Sequence, residues 1–424
     1  MMKTTALRLY GKNDLRLETF ELPPCGDDGI IAEVICDSIC MSTYKAAQQG
    51  ADHKRVPKDC ATNPPIVGHE FSGRILEVGA KWKDQFKPGD HFGIQPALMY
   101  KGSLDAPGYS FPTLGGAATY VRIPSCVMEV DCLLKYTGDA FFMASLSEPM
   151  SCLIGACHAH YHIPPGTYTH NMGIVEGGKC ACLASAGPMG LGLIDYLVHG
   201  PRRPGLIVVT DIDDARLERA KAILTPEDAK AHGIKLVYVN TKTPDAVDKL
   251  MELSGGTGYD DVFVLAPVAA VVEQGDAILG RDGCLDFFAG PTDPKFTARM
   301  NFYNVHYAGT HIVGTSGGTT DDIREALDLM GKGRLNPSMM ITHVGGLTAT
   351  KDATLNLPNI PGGKKLIYTH VDFPLTAIAD FAELGKKNPV FAELAEICAS
   401  NNGLWSLEAE KVVLAKMPKL SCQC

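Results

Sequence analysis

Through the first third of the chain, apolar and polar positions alternate in short runs such as GIIAEVICDS (29–38) and FSGRILEVGA (71–80), with turn clusters rich in Gly and Pro between them. A period of two puts every second side chain on one face, so these runs predict half-buried strands. Residues 1–165 are expected to form an antiparallel, barrel-like domain. From about Gly178 the texture changes to apolar strand, glycine turn, amphipathic helix and apolar strand again, in KCACLASAGPMGLGLIDYLVHG and GLIVVTDIDDARLERAKAIL. That alternation predicts a parallel sheet with helices on both faces. It continues through KLVYVNT, PDAVDKLMELSG, YDDVFVLAP, AAVVEQGDAILGR and GCLDFFAGP to a last strand, HIVGTSGG. The helix DDIREALDLMGKG follows, with Asp321 and Asp322 at the end that favours negative charge. MITHVGGL and GGKKLIYTH read as strands returning to the first domain, and NPVFAELAEICASNNGLWSLEAEKVVLAK reads as helix. The fold class is therefore α/β, divided into 1–165, a doubly wound domain over 166–316, and 317–424, which returns to the first domain and adds a helical extension.

Composition narrows the range of functions. A chain of 424 residues exceeds one compact core, and 45% hydrophobic with 21% charged residues suits a globular protein in water. A net charge of −9 argues against nucleic acid and anionic membranes as partners, leaving a small molecule, anionic only where a local basic cluster receives it. The apolar run VFVLAPVAAVV (262–272) is too short to span a membrane, and MMKTTALRLYGKNDLRL lacks the unbroken apolar stretch of a signal peptide, so a cytoplasmic location is expected. The 14 cysteines are scattered without a CxxC pair, which fits a reducing compartment. Cys180 and Cys182 in a strand-like run, and Cys422 and Cys424 on the tail, read as packing residues or bystanders.

The segment CLASAGPMGLG sets Ser185, Gly187 and Gly190 at the spacing of a dinucleotide fingerprint, with Pro188 and Met189 inside it, after a strand and before a helix. Asp211 ends the next strand, 21 positions after Gly190, where a carboxylate can accept hydrogen bonds from an adenosine ribose. The glycines let the backbone approach a pyrophosphate that faces the positive end of the helix. Ser185 stands in place of the usual first glycine, so a slightly altered turn is expected. Asp213 and Asp214 oppose a 2′-phosphate, which favours NAD(H), while Arg216 keeps NADP(H) open. Ser316, in the final VGTSGG strand, is assigned to the same cofactor.

Three further segments carry metal-binding side chains: Cys40 in DSICMSTYK, His69 and Glu70 in GHEFSG, and Glu148 in SLSEPMSC. Taken singly, a cysteine beside a strand packs a core and a carboxylate before proline starts a helix. Together they offer the three protein ligands and open position of a catalytic zinc. Neighbours on a regular strand face opposite ways, so His69 and Glu70 meet one ion only if the backbone bends, which Gly68 permits. His69 is the firm ligand and Glu70 the conditional one.

GHEFSGRILEVGA, KPGDHF, GGAATYV, the SEP segment, the nucleotide loop and VGTSGG, in that order, resemble the zinc-dependent medium-chain alcohol and polyol dehydrogenases from about residue 30 to 370. The resemblance implies a GroES-like β-rich catalytic domain with an inserted Rossmann domain. It implies a catalytic zinc on Cys40, His69 and Glu148, with Glu70 beside it as a catalytic partner or exchanging ligand, and Ser42 passing a proton between the reacting oxygen and the cofactor ribose. It also implies a homodimer or homotetramer joined through edge strands of the nucleotide domain. Two departures stand out. No cysteine lies between Cys60 and Cys126, so one catalytic zinc and no structural zinc is expected. The run Cys40-Met41-Ser42-Thr43 lacks the aspartate that orients the zinc-binding histidine in many relatives, which leaves the support of His69 unaccounted for.

KTTALRLYGKNDLRLETFELP, QGADHKRVP, PGYSFPTLGG and NFYNVHYAGTHIVGTSGGTTDD resemble one branch of that superfamily, the L-sorbose-1-phosphate reductases. That implies reduction of L-sorbose 1-phosphate to D-glucitol 6-phosphate by a reduced nicotinamide cofactor. A sugar phosphate needs a cationic seat, and DHKRVPK supplies His53, Lys54, Arg55 and Lys58, with Lys45 nearer Cys40. Lys45 or Arg55 is expected to contact the phosphate. Two alternatives stand: a dehydrogenase of an unphosphorylated, sorbitol-like polyol, and a nucleotide-binding protein without catalysis. The stretch from about Asp372 to Cys424 is expected either to cap the active-site cleft or to extend an interface.

Overall fold

The computed structural model describes residues 2–421, so the reading of Cys422 and Cys424 lies outside the described residues. The chain divides into two compact units: Met1–Glu148 with Thr319–Lys332 and Pro337–Cys424, and Pro149–Gly318 with Gly333–Asn336.

In the first unit the alternating runs pair into an eight-stranded sheet. Its order is Thr376–Ala377, Ile341–Gly346, Lys364–Tyr368, Ile30–Ile39, Phe71–Val78, His91–Ile94 and Leu133–Tyr136, with Tyr120–Ile123 also bonded to Ile30–Ile39. The strand Ile30–Ile39 is its spine: nearly every residue is buried, as a strand covered on both faces requires. Register then brings distant segments together. Phe71–Val78 runs antiparallel to the spine with Asp37 opposite Phe71, so His69 and Glu70 lie alongside the end that delivers Cys40. On the other side Lys365 pairs with Ile39, which sets Lys364 beside the same end. One pairing departs from the antiparallel expectation. Ile341–Gly346 and Lys364–Tyr368 run parallel, because the helix Thr350–Leu355 lies in their connection and carries the chain back to its starting edge.

The C-terminal extension belongs to this unit. Its helices Phe381–Gly385, Pro389–Ser400 and Leu407–Lys416 are interrupted at 401–406, and Ser406 caps the last one by accepting the Ala409 N–H. Trp405, Phe381 and Phe391 are buried against Tyr368 and the sheet. Glu410, 1% exposed, accepts the N–H groups of Phe141 at 2.8 Å and Phe142 at 2.9 Å and the Tyr368 hydroxyl at 2.9 Å. It thereby caps the helix Phe141–Ser145, just ahead of the helix Ser147–Ala159 that carries Glu148.

The second unit is a six-stranded parallel sheet in the order Lys235–Asn240, Leu206–Asp211, Lys179–Leu183, Tyr259–Val264, Leu279–Phe287 and His311–Val313. The chain begins in the middle, fills one side, then returns to fill the other. Such a sheet has its ligand crevice beyond the strand ends where the order reverses, here between Lys179–Leu183 and Tyr259–Val264. The apolar run 262–272 resolves into the end of a strand and the start of the helix Ala269–Ile278. Among the described residues no helix is long and apolar enough to cross a membrane, and the cysteines are free thiols.

Candidate active site

The bend at Gly68 uses a φ of +91°, and a Cβ there would lie 2.3 Å from Asp37 Oδ2, so only glycine fits. Past the bend, His69 and Glu70 are 3% and 1% exposed. The ligand atoms of Cys40, His69 and Glu70 all lie within 4.8 Å of one another, a sulfur, nitrogen and oxygen set of the kind zinc takes. His69 Nδ1 is 3.2 Å from the Thr43 hydroxyl and its Nε2 is 3.4 Å from the Tyr109 hydroxyl. Thr43 thus fills the orienting place that the missing aspartate left open.

Electrostatics point to a cation at this spot. Burial lowers the His69 imidazole to about 4, which leaves it neutral with a lone pair to offer. Burial, then the charge of Glu70, pushes the Cys40 thiol up to about 12. The same two causes raise Glu148 to about 8. Groups that resist ionisation because they crowd one dry place are those a metal ion relieves, since it takes thiolate and carboxylate forms directly. Glu148 lies outside the tight group of three, yet its charge is felt at Cys40 and Tyr109. These residues fit a zinc ion.

Glu70 has a strong partner of its own. Lys364 Nζ, itself buried, donates to its two oxygens at 2.5 and 2.7 Å, and the Ser38 hydroxyl donates to one of them. Burial opposes the charge on Glu70, but Lys364 outweighs it and holds the carboxyl below its usual range. Removing either member would strand an uncompensated buried charge. Ser42 is exposed beside the group, within 3.7 Å of the Cys40 thiol that donates to it, and is hydrogen-bonded with Tyr109.

The basic loop splits in two. Lys54 and Lys58 are exposed, the Lys58 ammonium donating to the Ala51 carbonyl, whereas Arg55 turns inward, its guanidinium 5.5 Å from the centre of the Tyr109 ring on which His53 also stacks. Arg55 Nε is buried with no hydrogen-bond partner, and the Arg55 charge acts on Glu148 and His69. Lys45 sits half-buried on the helix Met41–Gln49 and is not among the principal charges acting on these groups. Thr43, Tyr109 and Lys364 escaped the sequence reading. Each lies inside a quoted segment, but only strand register reveals what it touches.

In the second unit, Gly187 caps the helix Pro188–His199, and a Cβ on it would meet nothing within 4 Å, so its face is open to a ligand. Gly190 is different: a Cβ there would sit 1.8 Å from the Ser185 carbonyl oxygen, which makes glycine the condition for helix and strand to pack. In this turn Ala184, at φ +55°, takes the left-handed conformation. Pro188 opens the helix with Met189 behind it, and the Ser185 hydroxyl is buried without a partner. Asp211, 6% exposed, is fixed by the N–H groups of Ile212 at 2.8 Å and Asp213 at 3.1 Å. Arg216 is exposed, its Nε 3.8 Å from Asp213, and Ser316 is exposed beyond the edge strand.

Family models for the alcohol dehydrogenase GroES-like domain and for zinc-binding dehydrogenases match residues 26–131 and 198–332. The mannitol-1-phosphate 5-dehydrogenase of Aliivibrio fischeri is 54% identical over 415 residues, and the L-sorbose 1-phosphate reductase of Klebsiella pneumoniae is 49% identical over 415 residues, each alignment covering 98% of both chains. A zinc-binding dehydrogenase structure from Sinorhizobium meliloti bound to NADP shares the fold, with a TM-score of 0.69 at 19% identity over 87% of this chain and 100% of that one. Identity near one half along almost the whole length, with both domain models in chain order, makes this chain an oxidoreductase of the zinc-dependent medium-chain alcohol and polyol dehydrogenase family.

Proposed function

We propose that the enzyme transfers hydride between a nicotinamide cofactor and a ketose phosphate, reducing L-sorbose 1-phosphate to D-glucitol 6-phosphate. The observation that carries this reading is Arg55. A guanidinium with a buried, unpartnered Nε, stacked on the tyrosine that reaches His69, suits a phosphate held close to the reacting carbon. In L-sorbose 1-phosphate the phosphate sits on the carbon next to the carbonyl.

Cys40, His69 and Glu148 would hold a single catalytic zinc, which when bound supplies Lewis acidity to the carbonyl oxygen. Thr43 fixes the ring of His69 so that Nε2 faces the site. Lys364 keeps Glu70 ionised and engaged, so Glu70 acts on the field around the site and exchanges as a ligand only when that pair opens. Ser42, exposed and in contact with Tyr109, delivers a proton to the oxygen that gains charge as hydride arrives. Asp211, Asp213 and Asp214 support NAD(H) by accepting from a ribose and opposing a 2′-phosphate. A homodimer through the edge strand His311–Val313 is supported by its exposed Ile312 and by Phe302, Tyr303 and Tyr307 on the neighbouring helix.

Steady-state kinetics test the substrate and cofactor together. With NADH, kcat/KM is expected to rank ketose 1-phosphate above ketose 6-phosphate and both above free ketose, and to fall with NADPH. Equal turnover of free and phosphorylated ketose would sink the reading.

A further inference from the structure

The second unit contains a second constellation of metal-binding side chains, apart from the Cys40, His69 and Glu70 group. After the helix Ser147–Ala159 the chain continues as His160-Tyr161-His162, and Tyr161–His162 form a short strand paired with Asn171–Met172. Residues two apart in an extended segment share a face, so both imidazoles turn toward the central strand Tyr259–Val264. There they meet Asp261, which like His160 is 0% exposed. Asp261 Oδ1 lies 2.7 Å from His160 Nδ1 and 3.1 Å from His162 Nε2, while its Oδ2 accepts the Val175 N–H at 2.9 Å. The three ligand atoms are within 4.8 Å of one another.

The hydrogen bonding around them calls for positive charge. His162 Nδ1 is 3.0 Å from the Asp282 carbonyl oxygen, which can only accept, so that nitrogen carries the hydrogen. A neutral His162 then presents the lone pair of Nε2 to a carboxylate oxygen, an arrangement that repels unless a cation stands between them. The pattern of a ligating imidazole whose other nitrogen donates to a backbone carbonyl is that of metal sites. His160 Nε2 is buried without a hydrogen-bond partner, and the Cys284 thiol, opposite Asp261 in the strand register, is adjacent to it. Two imidazole nitrogens and a carboxylate oxygen form a donor set that suits zinc better than calcium or magnesium.

We propose that His160, His162 and Asp261 bind a structural zinc ion inside the second unit. It would tie the connecting segment 160–162 to the middle of the sheet, and it adds a second metal to the one expected at Cys40. A proton on His162 is the rival occupant, and metal counting separates the two.

The test uses the full chain carrying Cys40→Ala, which weakens the other site and leaves the second unit untouched. Stripped with a chelator and titrated with zinc, this variant is expected to take up one zinc per chain, to melt several degrees higher with it, and to lose both effects on adding His162→Asn. Crystals of Cys40→Ala give a readout that does not depend on the second variant folding: an anomalous zinc peak between the two imidazoles is expected. No uptake, uptake insensitive to His162→Asn, or no peak at saturating zinc would each overturn the proposal.

Discussion

Under the proposed function Arg55 combines two requirements in one side chain, since it stays close to the candidate metal group and yet has a donor without a partner for an anion. Substituting Arg55→Ala is expected to lower kcat/KM for the ketose phosphate about 10- to 100-fold, as loss of a charge-assisted contact does, while turnover of the free ketose changes little. Parallel kinetics on the two substrates check this. Thr43→Val removes only the hydroxyl behind His69 and should weaken zinc binding about 10- to 100-fold, as read by chelator competition. Cys40 and His69 could be found in the sequence because local motifs announce them. Their partners could not: Thr43 stands 26 positions from His69, Tyr109 stands 40 positions away, and Lys364 lies 294 positions from Glu70. No periodicity connects such residues, and the pairing of strands alone decides that they meet.

Whole elements carry consequences of their own. The last helix, Leu407–Lys416, supplies Glu410, which caps the helix Phe141–Ser145 with a buried carboxylate. Burial raises that carboxyl from 4.5 to about 7 even though three donors converge on it. Between those values Glu410 keeps in the fold a proton that the unfolded chain has lost, so its own contribution to stability should fall as pH rises from about 4.5 to about 7 and be level above, a change of about 1–3 kcal/mol. Denaturant unfolding followed by tryptophan fluorescence reads the right unit, because Trp82 and Trp405 both belong to it. Glu410→Gln should remove that part of the slope, and a slope unchanged from the parent chain would assign it elsewhere. In the nucleotide loop, Gly190→Ala should weaken NADH binding more than about tenfold, because backbone must move before a Cβ fits at that packing contact. Strand and helix types were legible from periods of two and 3.6. The parallel pair Ile341–Gly346 and Lys364–Tyr368 was not, since direction is chosen by the connection rather than by the pattern within either strand.

At the scale of the molecule, the change of texture near Gly178 and the returning strands made an α/β chain with an inserted parallel sheet legible before any coordinates, because a buried parallel strand and a half-solvated antiparallel one have different apolar rhythms. Assembly belongs to this scale. On the proposed dimer, Ile312→Lys on the exposed edge strand should shift the chain toward monomer in sedimentation velocity, with little loss of thermal stability in each chain. The pairing of Glu70 with Lys364 also orders events in time. A chain made from its N-terminus presents Cys40 and His69 early, but their sheet waits for Lys364–Tyr368, whereas the parallel sheet is complete at Val313. Domains fold as units during synthesis, and contacts far apart in sequence form slowly. The second unit can therefore mature before the seat proposed for the catalytic zinc closes, which would make loading of that seat a late step in the making of an active enzyme.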